Sequence, residues 1–270
     1  MRVIICAMAK KEHLYINEWV KHYFSMGFDK IYLYDNDELE DDYIGNYIDK
    51  KYLPRVEIIN IRGIKKEKLQ QEVYENFYNT HNFDWCLFCD IDEYLMGICN
   101  IKLWLEQYKL KYAKQIRVKW KLFGDDDLIT RNMNKPLYEV FKREVKSTLS
   151  RGLNGVGSLE NQGKAFVRGG LNNVVIKSPH FASFKTRENV IPSVLPSGKP
   201  CWSKIVINEN YSKENVYLYH YMTKSLSEFI NQKLNRNDAV FNQKLTLDYY
   251  WRINKKTKEK LDYLKNMGLE

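Results

Sequence analysis

Short apolar runs alternate with helix-period segments across the first 95 residues, and few folds accept that order. Residues 3–8 read as a strand. Residues 14–26 place Ile16, Trp19, Val20 and Tyr23 at three- and four-residue spacing, with Gly27 where a helix-ending glycine belongs. A second strand over 30–34 ends in Asp35-Asn36-Asp37. A polar helix over 41–51, Pro54 and a third strand over 56–60 follow. A helix over 67–79 then leads to a fourth strand, 85–89, which runs straight into Asp90-Ile91-Asp92-Glu93. Strands separated by helices at this pitch pair in parallel through right-handed crossovers. The fold class expected is therefore α/β, a mostly parallel sheet flanked by helices. Ligands of such sheets bind beyond the carboxyl ends of the strands, and both acidic clusters stand at those ends.

The second half is less regular. A strand over 115–122 leads to Phe123-Gly124-Asp125-Asp126-Asp127, and residues 151–170 hold six glycines, a pattern of loops and hairpins. Pro192, Pro196 and Pro200 mark another irregular connection. Ser225 with Glu228 three residues on forms a capping box for a helix over 225–235, and a lysine-rich amphipathic helix is expected over 247–267. No apolar run approaches the roughly 18 residues of a membrane span. The apolar run 3–9 is cut off by Lys10 and Lys11, which suits a first strand better than a signal peptide, so cytoplasmic residence is expected. Five cysteines, irregularly spaced, build no disulfide framework. Cys86 and Cys89 are three apart on a strand, so their sulfurs should face opposite sides and hold no metal. The net charge of +9 comes from lysines scattered beside glutamates, without the motifs of nucleic-acid readers. No nucleic-acid partner is expected, since the acidic clusters would repel phosphate.

Residues two apart on an extended chain point to one side, so Asp90 and Asp92 can share a target. Two carboxylates aimed at one point repel unless a cation lies between them. Hard oxygen ligands suit magnesium or manganese, and such ions also accept phosphate oxygens. A nucleotide diphosphate is a natural third party, because a metal stabilises the charge of a departing diphosphate. Asp35 and Asn36 offer groups for a nucleobase or ribose, with helix capping as the competing use. His220 can complete a metal site while Lys224, four residues on, neutralises diphosphate; His180 competes with His220, and His22 beside Trp19 is expected to be structural. Acceptor activation needs a general base, for which Asp125, Asp126 and Asp127 are the candidates, a solvated turn being the alternative. Arg151, Arg168 and Arg236 are candidates to pair with phosphates. Arg252, Lys255, Lys256, Lys258 and Lys260 offer a basic run for peripheral contact with anionic membrane, or simply one face of a packed helix.

Several ordered elements resemble one branch of family-2-like glycosyltransferases with the GT-A fold. They are Lys10-Lys11-Glu12, Glu18-Trp19 with His22, Tyr32-Leu33-Tyr34-Asp35-Asn36-Asp37, Gln70 with Tyr74, and Asp90-Ile91-Asp92-Glu93-Tyr94-Leu95. Trp120 with Phe123-Gly124, residues 164–168, Pro179-His180-Phe181 and His220-Tyr221 with Lys224-Ser225 and Glu228-Phe229 continue the series. The likeness is dense over residues 1–97 and patchy to about 240, and it departs at Lys11, where the branch has Asp or Asn. The resemblance implies a GT-A core over 1–122 that binds a nucleotide sugar, and an acceptor-side lobe with C-terminal helices over 123–270. It implies donor contacts from Ala7, Lys10, Asp35, Asn36, Gln70, Tyr74, Asp90, Ile91 and Lys224. It implies Mn2+ or Mg2+, with Asp92 as the preferred direct ligand and Asp90 as ligand or ribose-side contact; His220, or His180 in its place, completes the set on its own chemistry, independently of the resemblance. The implied reaction is transfer, with inversion, from a nucleotide-diphosphate sugar to a carbohydrate or lipid-linked glycan such as a growing surface polysaccharide or lipooligosaccharide. Nucleotidyl transfer is the alternative that paired aspartates and metals would also serve.

Overall fold

The computed structural model describes residues 1–145, 162–185, 191–201, 214–234, 236 and 244–269. Arg151 and most of the glycine-rich stretch lie outside the described residues.

Strand β1 (Val3–Ala9) alternates between two apolar layers, and that alternation organises the molecule. Val3, Ile5, Ala7 and Ala9 face one core, which also takes Ile16, Trp19, Val20 and Tyr23 of helix α1 (Ile16–Ser25). Ile4 and Cys6 face the other, built with Val73, Tyr74, Phe77 and Tyr78 of α2 (Leu69–Thr80). Period two on the strand thus meets period 3.6 on both helices, which is what sandwiches a sheet between helical layers. Strands β2 (Lys30–Asp35), β3 (Val56–Asn60) and β4 (Trp85–Phe88) complete a parallel set in the order β3-β2-β1-β4. Cys86 lies in the second core and Cys89 in the first, so the two thiols do diverge. The α/β class with a parallel half-sheet is as the sequence predicts.

Beyond β4 the sheet becomes mixed. Strand β5 (Glu93–Met96) follows the acidic turn, then come the short helices α3 (Ile101–Leu105) and α4 (Tyr108–Lys111) and the long β6 (Gln115–Leu122). Helix α5 (Leu137–Val140) precedes β7 (Gly163–Arg168), which lies antiparallel between β4 and β6. Gly163 permits this close approach: a Cβ there would stand 2.0 Å from the Val118 carbonyl oxygen. A separate hairpin, β8 (Val174–Ser178) with β9 (Phe181–Phe184), covers α2. Strands β10 (Ser193–Val194) and β11 (Pro200–Cys201) extend the far edge. Strand β12 (Tyr217–His220) runs parallel to the last residues of β6 and antiparallel to β5. The sheet therefore draws β7, β10, β11 and β12 from beyond residue 122, and the expected division at that point does not divide the sheet.

Two expected helices differ. Residues 41–51 form turns around a 3-10 segment, Ile44–Tyr47, instead of an α-helix. Ile44 and Ile48 alone supply buried apolar side chains there, and the Asp41 carboxylate accepts from the Glu38 amide inside a turn, so no apolar face exists to hold a helix. The C-terminal stretch breaks into α7 (Leu247–Trp251) and α8 (Lys258–Asn266), following α6 (Leu226–Gln232). The break brings Tyr250 and Leu264 into one cluster with Leu226 and Phe229. Thr257 then caps α8 through the Lys260 amide. The capping box of Ser225 and Glu228 is present as expected, with reciprocal bonds at the start of α6.

Candidate active site

The turn after β4 carries Asp90, Ile91 and Asp92 to one wall of a cleft of about 540 Å³. The Asp90 carboxylate accepts from the Gln70 amide at 2.6 Å through Oδ1 and from Lys164 Nζ at 2.8 Å through Oδ2. Lys164 is buried on β7 and also stands 3.8 Å from Glu93 Oε1. Glu93 in turn accepts from the Asp90 backbone amide at 2.9 Å. Asp92 accepts from Lys233 Nζ at 2.6 Å through Oδ2, while its Oδ1 lies 3.4 Å from His220 Nε2. Lys224 Nζ is 3.9 Å from Asp92 and 3.4 Å from Glu12. Burial pushes both aspartates up, but the facing cations outweigh it. Lys164 holds Asp90 below the ordinary carboxylate range, and Lys233 with His220 and Lys224 holds Asp92 well below it. Glu93 goes the other way, raised well above its usual value because burial exceeds the pull of Lys164.

Among the described residues, six lysine or arginine side chains line the cleft against three carboxylates: Lys10, Lys164, Lys233, Arg236, Lys244 and Arg252 face Glu12, Asp90 and Asp92. Such a cleft favours an anionic ligand. Among the described residues no group of three or more histidine, cysteine or carboxylate side chains could hold a metal ion unaided. Asp90 is less well placed than Asp92 as a direct ligand, since each of its oxygens already accepts one hydrogen bond and the Lys164 ammonium stands 2.8 Å from Oδ2, although a carboxylate keeps further lone pairs for a donor group. Asp92 Oδ1 and His220 Nε2 fit better. Their 3.4 Å separation exceeds a charge-assisted hydrogen bond and approaches the ~3 Å edge of an octahedron with bonds of about 2.1 Å. One carboxylate plus an imidazole is a partial set that suits an ion completing its shell with water and substrate phosphate oxygens.

No family model and no curated protein matches this sequence. Solved structures with partial likeness include TarS 1–349 of S. aureus in complex with UDP, at 13% identity and TM-score 0.37, covering 62% of this chain and 47% of that one. The mannosyltransferase PcManGT of Pyrobaculum calidifontis, in complex with GDP-Man and Mn2+, gives 10% identity and TM-score 0.32, covering 43% and 35%. HddC of Yersinia pseudotuberculosis gives 12% and 0.34, covering 80% and 98%. The chain thus spans under half the length of the TarS and PcManGT chains it matches, and likenesses at these scores carry no argument about function. The site's own chemistry has to carry it.

Of the residues the sequence singles out, Lys10, Gln70, Asp90, Ile91, Asp92, His180 and His220 line the cleft together. Lys224 sits just behind it, over the Tyr15 ring at 3.9 Å, with a left-handed backbone at φ +58°. Tyr74 supports Gln70 from below through a 3.0 Å hydrogen bond, and Ala7 is a buried strand residue. Asp35 and Asn36 are buried at the end of β2 and do not line the cleft. The Asn36 amide donates to the Ile61 and Ile64 carbonyls, and Asp35 caps the Asp37 amide. Asp37 is pushed up to about 6, mainly by burial, although the Lys11 amide and His13 draw it down. Arg236 does reach the cleft, donating to the Lys10 carbonyl at 2.5 Å. Arg168 instead donates to the Ala113 carbonyl at 2.7 Å and stacks on Trp85.

The aspartates proposed as base stand elsewhere. Asp125 is buried against Lys260 and Tyr250, Asp126 accepts from the Lys142 and Arg143 amides, and Asp127 pairs with Arg143 at 2.6 Å. None of the three lines the cleft. Their carboxylates hold a turn and the C-terminal helices in place. His180, the alternative metal ligand, lines the same cleft; its Nδ1 meets the Gly163 carbonyl at 3.0 Å, and burial with the nearby Lys164 lowers it to about 3, which favours the neutral ring a metal ligand needs. Lys233 is absent from the sequence reading, and Lys164 enters it only within the run 164–168, with no role at the site. Lys164 had a signal: it shares its side of β7 with the core residue Phe166, and a lysine on a core-facing strand position needs a carboxylate partner.

His22 is structural, as expected. It meets the Leu95 carbonyl at 2.9 Å and packs edge-on against Tyr23 and Tyr94. Burial lowers it from 6.5 to about 4. Below pH 6.5 the unfolded chain binds a proton that the folded chain refuses, so stability falls as pH drops toward 4. Urea unfolding at pH 7 and pH 4.5 should differ by roughly 2 kcal/mol more in the parent than in His22→Gln. Equal differences would remove His22 from the acid response.

Proposed function

We propose that this chain is a metal-dependent glycosyltransferase that moves a sugar, with inversion, from a nucleotide-diphosphate sugar to a carbohydrate or lipid-linked glycan acceptor. One observation carries the reading. At the carboxyl end of a parallel strand, Asp92 and His220 offer a partial ligand set inside a cleft with surplus positive charge. On this reading the core is of the GT-A type and the ion is Mn2+ or Mg2+. When bound with the donor, the ion supplies charge stabilisation for the leaving diphosphate.

The chain's own residues do the rest. Asp92 and His220 fix the position of the diphosphate end of the donor. Lys164 and Gln70 hold the Asp90 carboxylate in one orientation, ready to accept from a donor hydroxyl without having to be ordered first. Lys224 and Lys233 stand within reach of the charge that develops as the glycosyl bond breaks. Lys244, Tyr249 and Arg252 form a basic and aromatic wall on the C-terminal side, which suits a glycan acceptor carrying, or lying near, negative charge. No helix among the described residues is long and apolar enough to cross a membrane.

The test is product analysis. Incubation with a panel of nucleotide sugars and Mn2+ should release nucleoside diphosphate, by transfer or slow donor hydrolysis. Release of pyrophosphate from a nucleoside triphosphate and sugar phosphate would establish nucleotidyl transfer in its place. Loss of diphosphate release on chelation, with recovery on adding Mn2+, is the expected metal response.

A further inference from the structure

Asp92 already has a cation. Lys233 caps the end of α6, and its ammonium donates to Asp92 Oδ2 and to the Met222 carbonyl, both at 2.6 Å, with only 6% of the residue exposed. Lys224 lies 3.9 Å from the same carboxylate oxygen, held in turn by Glu12, which also meets Arg236 at 3.4 Å. The carboxylate that would receive a divalent ion is therefore neutralised in advance by ammonium groups belonging to the chain.

Resting on the metal-dependent transfer proposed above, we infer that Lys233 is a tethered counter-ion that keeps free divalent metal off Asp92, so that the metal enters together with the donor's diphosphate. A bare dication placed at Asp92 Oδ1 and His220 Nε2 shares one carboxylate with the Lys233 ammonium. In a buried setting that like-charge contact is weakly screened and opposes binding. A nucleoside diphosphate reverses the balance, because its oxygens satisfy the metal and the two lysines at once. Lys233 thus acts through Asp92 as a positioning residue. It makes ion binding conditional on the nucleotide, and it holds Asp92 oriented in the meantime.

Manganese binding, followed by loss of the free-ion electron paramagnetic resonance signal, tests this without any turnover. In the parent protein Mn2+ alone should bind at least ~10-fold more weakly than Mn2+ with saturating UDP or GDP, the modest end of what like charges this close exert. Lys233→Gln keeps hydrogen-bond donors for Asp92 and Met222 but removes the charge. It should tighten binding of Mn2+ alone by about 10-fold or more, while Lys233→Arg, which retains charge, should resemble the parent. Adding Asp92→Asn to Lys233→Gln should abolish the gain, locating the ion at Asp92. Lys233→Met serves the same comparison if the glutamine variant does not fold. Unchanged free-Mn2+ affinity in the neutral variants, with UDP or GDP still recruiting Mn2+ to the parent, would overturn the counter-ion role and leave the transferase reading standing. Failure of either nucleotide to recruit Mn2+ to the parent would overturn both.

Discussion

Asp92→Asn is expected to lower kcat/KM for donor turnover with Mn2+ by about 10³-fold, the scale on which single electrostatic contacts at a developing charge operate. Asparagine keeps the shape and one oxygen for Lys233, but it removes the charge that Asp92 Oδ1 presents beside His220 Nε2. Stability should fall as well, because Lys233 is left buried opposite a neutral amide. Activity is therefore to be compared at a temperature where circular dichroism shows both proteins fully folded. Asp90→Asn makes the internal contrast. Both Asp90 oxygens are held by Gln70 and Lys164, so this variant should raise the donor KM and leave the Mn2+ titration midpoint close to the parent's. Retention of a tenth or more of parental activity by Asp92→Asn, or equal Mn2+ responses in the two variants, would refute the roles assigned to the pair.

That contrast also marks where the sequence could be read and where it could not. The strand that delivers Asp90 and Asp92 was legible because apolar alternation and a parallel crossover pattern are local signals, and they fix where strand ends go. The side-by-side placement of Asp92 and His220 was legible only as an expectation, since the two are brought together by β5 pairing with β12 across a long stretch of chain. The lysines were harder. Lys233 looks like any helix-end lysine, and nothing in its neighbours announces that its ammonium turns inward to Asp92. The expected helix over 41–51 failed for a different reason. Its polar residues satisfy backbone groups in turns, and turn chemistry competes with helix wherever an apolar face is missing. Asp35 and Asn36 show the same competition at the end of β2, outside the cleft lining, because side chains suited to a nucleoside are equally suited to pinning their own loop.

Asp125 gives the second large effect, in stability and not in chemistry. Its carboxylate receives the Tyr250 hydroxyl and, at 2.5 Å, the fully buried Lys260 ammonium; Lys260 also meets the Lys255 carbonyl at 3.1 Å and Asp127 at 3.4 Å. Lys260→Met leaves Asp125 buried without its counter-charge, a change that typically costs about 3–5 kcal/mol. For a chain of this size that corresponds to a drop in Tm on the order of 10 °C. Asp125→Leu should cost a similar amount alone, and the double variant should recover part of it, because two apolar side chains replace a buried pair more cheaply than either half of it survives unpaired. Transfer per folded molecule should stay within about 3-fold of the parent in Asp125→Leu, whereas a general base would forfeit about 10²–10⁴-fold. A rate loss of that size in folded Asp125→Leu would return the carboxylate to catalysis. Any remaining kinetic change should fall on the acceptor's KM, since α7 carries Tyr249 and is followed directly by Arg252 in the cleft wall, and the Asp125–Tyr250–Lys260 contact fixes α7 beside the end of β6.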